Sequence, residues 1–147
     1  MKLQNHVALT FPLAAASYGM TYSWECALGI VIGGILIDLD HWIEFWHDRG
    51  LLWDLREFFQ FGNSGASSRL FILFHSFEWI PLLYVGFLLS EDWIFIGVVI
   101  GLSVHVILDY INLRRRFGYR RFCIFIFSFL FRLFHRFHTD QITEAVR

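Results

Sequence analysis

The 147-residue chain is 56% hydrophobic and 20% aromatic, with a mean hydropathy of +0.52; soluble domains are about 45–50% apolar even with glycine counted, so this composition asks for lipid around it. A net charge of −1 with arginines gathered in one stretch offers no broad basic face for a nucleic acid. The two cysteines, Cys26 and Cys123, lie in apolar runs and form no C-x-x-C pair, which argues against a disulfide framework or a thiolate zinc site.

No linker or internal repeat divides the sequence, and residues 1–147 are read as a single membrane-embedded domain. A spanning helix takes about 20 mostly apolar residues. In chain order, His6 to Met20 is a short first span rather than a cleaved signal, because further hydrophobic segments follow it. Trp24 to about Phe45 is the second span. Trp46 to Ser68 mixes Trp, Leu and Phe with Asp, Arg and Glu and reads as an amphipathic interfacial helix ending in a flexible turn, Gly62-Asn63-Ser64-Gly65. Leu70 to Leu89 and Trp93 to Leu113 complete four spans. Phe122 to His138 is rich in Phe but meets Arg132, His135 and Arg136, and is assigned as a spanning or interfacial helix whose arginines snorkel. The expected fold class is therefore all-α: a polytopic integral membrane helix bundle with four spanning helices and a Phe-rich C-terminal helix.

Orientation follows from the loops. Arg114, Arg115, Arg116, Arg120 and Arg121 follow the fourth span, whereas Glu91 and Asp92 alone make the turn before it, so the arginine end is cytoplasmic. Lys2, Arg49, Arg56 and Arg69 fall on the same side, where this basic rim touches anionic lipid headgroups and would attract phosphate.

On this topology the ionisable residues converge on one end of the bundle. His6 opens the first span, Asp38, Asp40 and His41 close the second, His75 and Glu78 begin the third, and His105 and Asp109 approach the end of the fourth. Spacings of i, i+4 and i, i+3 put each of the last two pairs on one helix face. A charge inside a bilayer costs roughly 2.5–3.5 kcal/mol and is usually paired or functional. Shared coordination of a cation would offset that cost. Imidazole with carboxylate suits Zn²⁺ first, with Mn²⁺ or Fe²⁺ as alternatives, and seven candidate ligands (His6, Asp38, Asp40, His41, His75, His105 and Asp109) suffice for one or two ions. Glu78 is assigned to support a ligand rather than to coordinate. His47, His135 and His138 are assigned to the interface.

Asp38-Leu39-Asp40-His41 follows Gly33-Gly34, His75-Ser76-Phe77-Glu78 opens the next long stretch, and His105 and Asp109 form an HxxxD pair. With these motifs the chain resembles, over most of its length, the YdjM-like membrane-bound metal-dependent hydrolases. That family's N-terminal His, G-x-x-x-P-D-x-D-H run, H-R-G-x-T-H-S motif and late HxxxD fall here on His6, Asp38, Asp40, His41, His75, Ser76, His105 and Asp109. Ile37 stands where Pro is usual, and the His-Arg-Gly before the His-Ser pair is absent. The resemblance implies a prokaryotic inner membrane, and a remoter similarity to zinc-dependent phospholipase C and nuclease P1 enzymes implies phosphoester chemistry.

The function expected on this basis is hydrolysis of a phosphoester on a lipid or membrane-delivered substrate at the cytoplasmic edge. Asp40 is assigned as bridging ligand or general base, Ser76 and Glu78 as support, and Arg69, Arg114 and Arg115 as binders of substrate phosphate. The alternative is a non-catalytic membrane subunit, clamped by its ion and docked on a larger membrane protein partner through the Phe-rich tail. Divalent-metal transport ranks below both, because the polar residues do not continue across the outer halves of the helices.

Overall fold

The computed structural model describes residues 3–64, 67–117 and 123–146, and these form an all-helical architecture in which an isolated bridge between Arg69 and His138 is the sole β pairing among the described residues. Helix α1 (Leu3–Thr21) turns at Tyr22 into α2 (Trp24–Gly34), which is capped by the Ser23 side chain accepting from the Cys26 amide at 3.1 Å. A 3-10 turn (Leu36–Asp40) leads into α3 (His41–Arg49), and α4 (Leu55–Ser64) follows. After an irregular stretch come α5 (Trp79–Ser90), α6 (Trp93–Phe117), a second 3-10 turn (Cys123–Phe127), α7 (Phe129–Phe134) and α8 (Thr139–Ala145).

The centre of the fold is the contact of α2 with α6, flanked by α1 on the α2 side and by α5 on the α6 side. Gly29 and Gly33 face Gly97 and Gly101, two small-xxx-small stripes that let the backbones meet directly. A Cβ added to Gly29 would lie 2.8 Å from the Val98 amide nitrogen, and one on Gly97 would lie 3.0 Å from the Gly29 Cα. Buried Ala14, Cys26 and Ile30 fill the seam between α1 and α2, while Ile37, Leu102, Val106 and Phe127 bring the C-terminal segment against α6.

Among the described residues two stretches, Trp24–Arg49 and Trp93–Arg115, are long and apolar enough to cross a membrane, so four spans are not supported. Helix α1 has the length but includes Gln4, Asn5, His6 and Thr10 and is too polar. The expected Leu70 to Leu89 span is helical only from Trp79, and the 12 residues of α5 reach about 18 Å against a hydrocarbon core of about 30 Å. Upstream of Trp79 the amides are engaged elsewhere: Leu70 donates to the Phe137 carbonyl (2.8 Å), Phe74 to Asp40 (2.8 Å) and Phe77 to the Phe127 carbonyl (3.0 Å). The C-terminal span is also corrected. Helix α7 has six residues, and Arg132 is fully buried rather than snorkelling, because its guanidinium donates to the Ile126 carbonyl and to Ser76. Trp46 to Ser68 divides between α3 and α4 at Gly50, whose φ of 82° glycine adopts freely. Gly62 to Ser64 belong to α4 rather than to a turn, and Gly65 lies outside the described residues.

Gly97→Ala is expected to destabilise the helix pair by about 1–3 kcal/mol, the usual cost of overpacking. Gly19→Ala, where an added Cβ meets nothing within 4 Å, is expected to be neutral or slightly stabilising, since alanine is favoured in helices by about 0.5–1 kcal/mol. Thermal unfolding of both variants in detergent checks the contrast.

Candidate metal centre

The site begins at a helix break. α2 ends at Gly34, and in the 3-10 turn that follows the Asp38 amide bonds the Ile35 carbonyl at 3.2 Å. The Gly34 carbonyl is left to accept from His105 Nδ1 at 2.9 Å. A 3-10 stretch between helices often marks a functional hinge. Here it turns Asp38, Asp40 and His41 toward α6 and the loop carrying His75.

Four imidazoles present the same edge to the same place. His75 Nε2 and His105 Nε2 are 3.0 Å apart, and Asp38 Oδ1 lies 3.2 Å from the first and 3.3 Å from the second. Asp109 Oδ2 lies 3.2 Å from His105 Nε2 and 3.8 Å from His75 Nε2. His6 stacks on His105 at 3.8 Å between ring centroids and sets its Nε2 3.1 Å from Asp109 Oδ1. His41 Nε2 is 3.8 Å from Asp38 Oδ1.

Three of these rings are held from behind. Nδ1 of His105 meets the Gly34 carbonyl, Nδ1 of His41 meets Glu44 Oε2 at 3.0 Å, and Nδ1 of His75 meets both oxygens of Asp40 at 3.1 and 3.2 Å. A carbonyl or carboxylate can only accept, so a hydrogen sits on each Nδ1 and, in the neutral ring, the lone pair sits on Nε2. Two such lone pairs at 3.0 Å repel unless a cation or a proton lies between them. Four ligands about 2.0–2.1 Å from a tetrahedral zinc stand about 3.3 Å from one another. The separations among Asp38, His75, His105 and Asp109 bracket that spacing, and donor atoms of these four residues all lie within 4.8 Å of one another. The donor set therefore fits a divalent cation. Asp40, His41 and His75 form a second, overlapping group of donors.

Burial by itself would lower the pKa of His75, but its hydrogen bonds to Asp38 and Asp40 and their charges outweigh burial and raise it to about 10. The space between these groups thus favours positive charge.

Of the seven sequence-predicted ligands, Asp38, Asp40, His41, His75, His105 and Asp109 fall in the two overlapping donor groups, and His6 stands beside them on His105 and Asp109. Asp40 stands at the back of His75, 2% exposed, with its Oδ2 also accepting from the Phe74 amide. Ser76 and Glu78 turn instead to the C-terminal segment: Ser76 meets Arg132, and Glu78 accepts from Ser128, the Phe129 amide (3.0 Å) and the Leu130 amide (3.3 Å). Arg69 sets its guanidinium over the Phe71 ring at 6.0 Å, and Arg114 and Arg115 are exposed near the end of α6, little more than a turn beyond Asp109. Sequence reasoning missed Glu44, Arg132 and the Gly34 carbonyl. Glu44 carries the i, i+3 spacing from His41 that singled out Glu78 from His75. Arg132 is the residue that interrupts the Phe-rich run.

Comparison of the chain with protein-family models, with curated proteins and with solved structures gives no match.

Burial favours the protonated form of Glu78, but the three donors that converge on it outweigh burial and hold it below the usual glutamate range. A carboxyl with a lower pKa folded than unfolded contributes stability above its unfolded value, and that contribution is lost as pH falls through the lower folded value. Glu78→Gln is expected to destabilise the C-terminal segment by about 1–2 kcal/mol at neutral pH and to remove this acid sensitivity. Hydrogen exchange at the Phe129 and Leu130 amides between pH 7 and 3 reads both effects.

Proposed function

We propose that the chain is a membrane-embedded hydrolase that depends on a divalent cation, zinc first and manganese or iron as alternatives, and acts on a phosphoester carried on a lipid or delivered at the membrane. The observation that carries this reading is the convergence of four imidazole Nε2 edges on Asp38 and Asp109, with three rings fixed through Nδ1. A bound cation would supply the Lewis acidity that polarises a phosphoryl oxygen and lowers the pKa of water.

The side chains divide the remaining work by exposure. His6, His75 and His105 are at most 1% exposed and serve to hold the ion, whereas the Asp38 and His41 side chains are 21% and 39% exposed and form the open edge. Leu36, Leu39 and Phe74 are exposed beside that edge. An apolar rim next to a phosphoester site suits a substrate that brings an acyl chain with it. In this arrangement Asp40 orients His75, and the partly buried carboxylates Asp38 and Asp109, 21% and 12% exposed, stand nearer the open edge to accept a proton. Arg114 and Arg115, just beyond Asp109, are the candidates to meet substrate phosphate.

Support for the membrane comes from the two apolar stretches, of which only 39% and 28% is buried within the chain. Outward-facing Leu28, Leu82, Leu88 and Ile107 on α2, α5 and α6 are exposed, a surface that lipid would cover. Arg114, Arg115 and Arg116 at the end of α6 support a cytoplasmic orientation of this end, and a prokaryotic inner membrane rests on the family resemblance alone.

One observation favours a second reading, in which the ion is structural. Asp38, His75, His105 and Asp109 already provide four donors, and four protein ligands close a tetrahedral zinc site, whereas catalytic sites keep a position open.

Mass-spectrometric metal analysis of the detergent-purified protein is expected to find stoichiometric zinc or manganese, lost in Asp38→Ala and His105→Ala. A phospholipid in mixed micelles is expected to be hydrolysed faster than p-nitrophenyl phosphate, and Asp40→Asn is expected to reduce turnover or metal affinity about 10–100-fold, the range for groups that orient a ligand. Bound metal without turnover, with unfolding on chelation, would select the structural reading. A protein that takes up no divalent ion would overturn both.

A further inference from the structure

Arg132 is fully buried and is not among the donors of the metal centre. Its guanidinium donates to the Ile126 carbonyl at 3.0 Å and to the Ser76 hydroxyl, next in the chain to His75. Its Nε has no hydrogen-bond partner. Burial lowers the guanidinium to about 10, and the charges that act against burial are those of Asp40, Glu78 and Glu44. It therefore keeps its proton at any physiological pH.

Two of those three carboxylates stand directly behind the imidazoles of the cation centre. Asp40 backs His75 and Glu44 backs His41, and they are 2% and 5% exposed; Glu44 Oε1 makes no hydrogen bond, and Asp40 Oδ1 lies 3.1 Å from His75 Nδ1 without completing one. An imidazole that ligates a cation is a neutral ring, so neither histidine itself supplies a positive charge to the buried carboxylate behind it. A buried carboxylate is tolerated when paired and is strongly destabilising when not. Among the described residues Arg132 is a fully buried guanidinium bonded to the residue next to His75, and the charges of Asp40 and Glu44 act on it.

We infer that Arg132 is a positioning residue of the cation centre: its buried charge balances Asp40 and Glu44 once His75 and His41 face a divalent ion, and its bond to Ser76 fixes the loop that presents His75. The centre is then layered as cation, imidazole, carboxylate, guanidinium. The Phe-rich C-terminal segment takes part through Arg132 without contributing a ligand. This inference rests on the proposed cation site.

Calorimetric titration of the full-length, metal-stripped protein in detergent with Zn²⁺ and Mn²⁺ tests it, alongside far-ultraviolet circular dichroism of each variant. Arg132→Met is expected to keep its helical signal and bind about 10–100-fold more weakly, as for other groups that support ligands. Arg132→Lys is expected to retain most of the affinity, and the double variant Arg132→Met with Glu44→Gln to recover much of what Arg132→Met loses, because one buried negative charge is removed with the positive one. A purely structural arginine would give no such recovery. Wild-type affinity in Arg132→Met, or weakened binding that neither Lys nor the Glu44→Gln partner restores, would overturn the inference while the cation site stands. If Arg132→Met does not fold, the double variant decides: regained fold and binding support the inference, and failure to regain them overturns it. Absence of binding to the wild-type protein would overturn the site and this inference together.

Discussion

The approach of α2 to α6 through facing glycines is the constraint on which the remaining structure depends. Because Gly33 and Gly101 carry no side chain, the end of α2 lies close enough to α6 for His105 to reach the Gly34 carbonyl. That bond uses a carbonyl which an unbroken helix would have consumed four residues later. Helix contact, helix break and imidazole orientation thus form one connected arrangement. Non-helical backbone in apolar surroundings needs protein to cover it; α6 packs on Gly33, and Thr10 of α1 packs on Gly34.

The ligand layer is assembled from parts of unequal rigidity. His105 and Asp109 share one face of a long helix, and Asp38, Asp40 and His41 sit at the junction of two helices and a short turn. His75 lies in an irregular stretch held by Asp40 on one side and by the C-terminal segment on the other, through Phe77 to Phe127, Leu70 to Phe137 and Glu78 to Ser128. The histidine most enclosed by carboxylates is therefore also the one whose backbone owes least to local secondary structure. Its placement is a tertiary property, bought with hydrogen bonds from distant segments.

This difference explains what could be read in the sequence. Spacing alone grouped His105 with Asp109, and the compactness of Asp38-Leu39-Asp40-His41 marked a ligand-rich turn; both are local features. The all-helical class was equally legible from long apolar runs. Hydropathy could not separate a span from an apolar loop, because Leu70 to Phe77 is apolar in composition while its backbone hydrogen bonds run to residues far along the chain. Sequence reading marked Gly33-Gly34 but not the spacing of Gly29 with Gly33 or of Gly97 with Gly101, because the role of these glycines shows only once the two helices are neighbours. Arg132 resisted reading for the opposite reason: an arginine in a Phe-rich run fits a snorkelling pattern, and only its contacts with Ser76 and Ile126 show it turned inward.

The ligand layer draws on His6 near one end of the chain and is braced by Phe137 and Thr139 near the other. Most of its contacts therefore join residues far apart in sequence, the class of contact that forms late because loop closure must precede it. During synthesis Asp38, Asp40, His41, His105 and Asp109 are made before the segment that braces His75. For that interval the acidic groups lack their final neighbours, and a chain stopped just after α6 keeps the glycine-packed helix pair but loses Phe127, Ser128 and Arg132, the partners against which the His75 loop docks. The order of synthesis thus makes the ligand layer the last part of the fold to close.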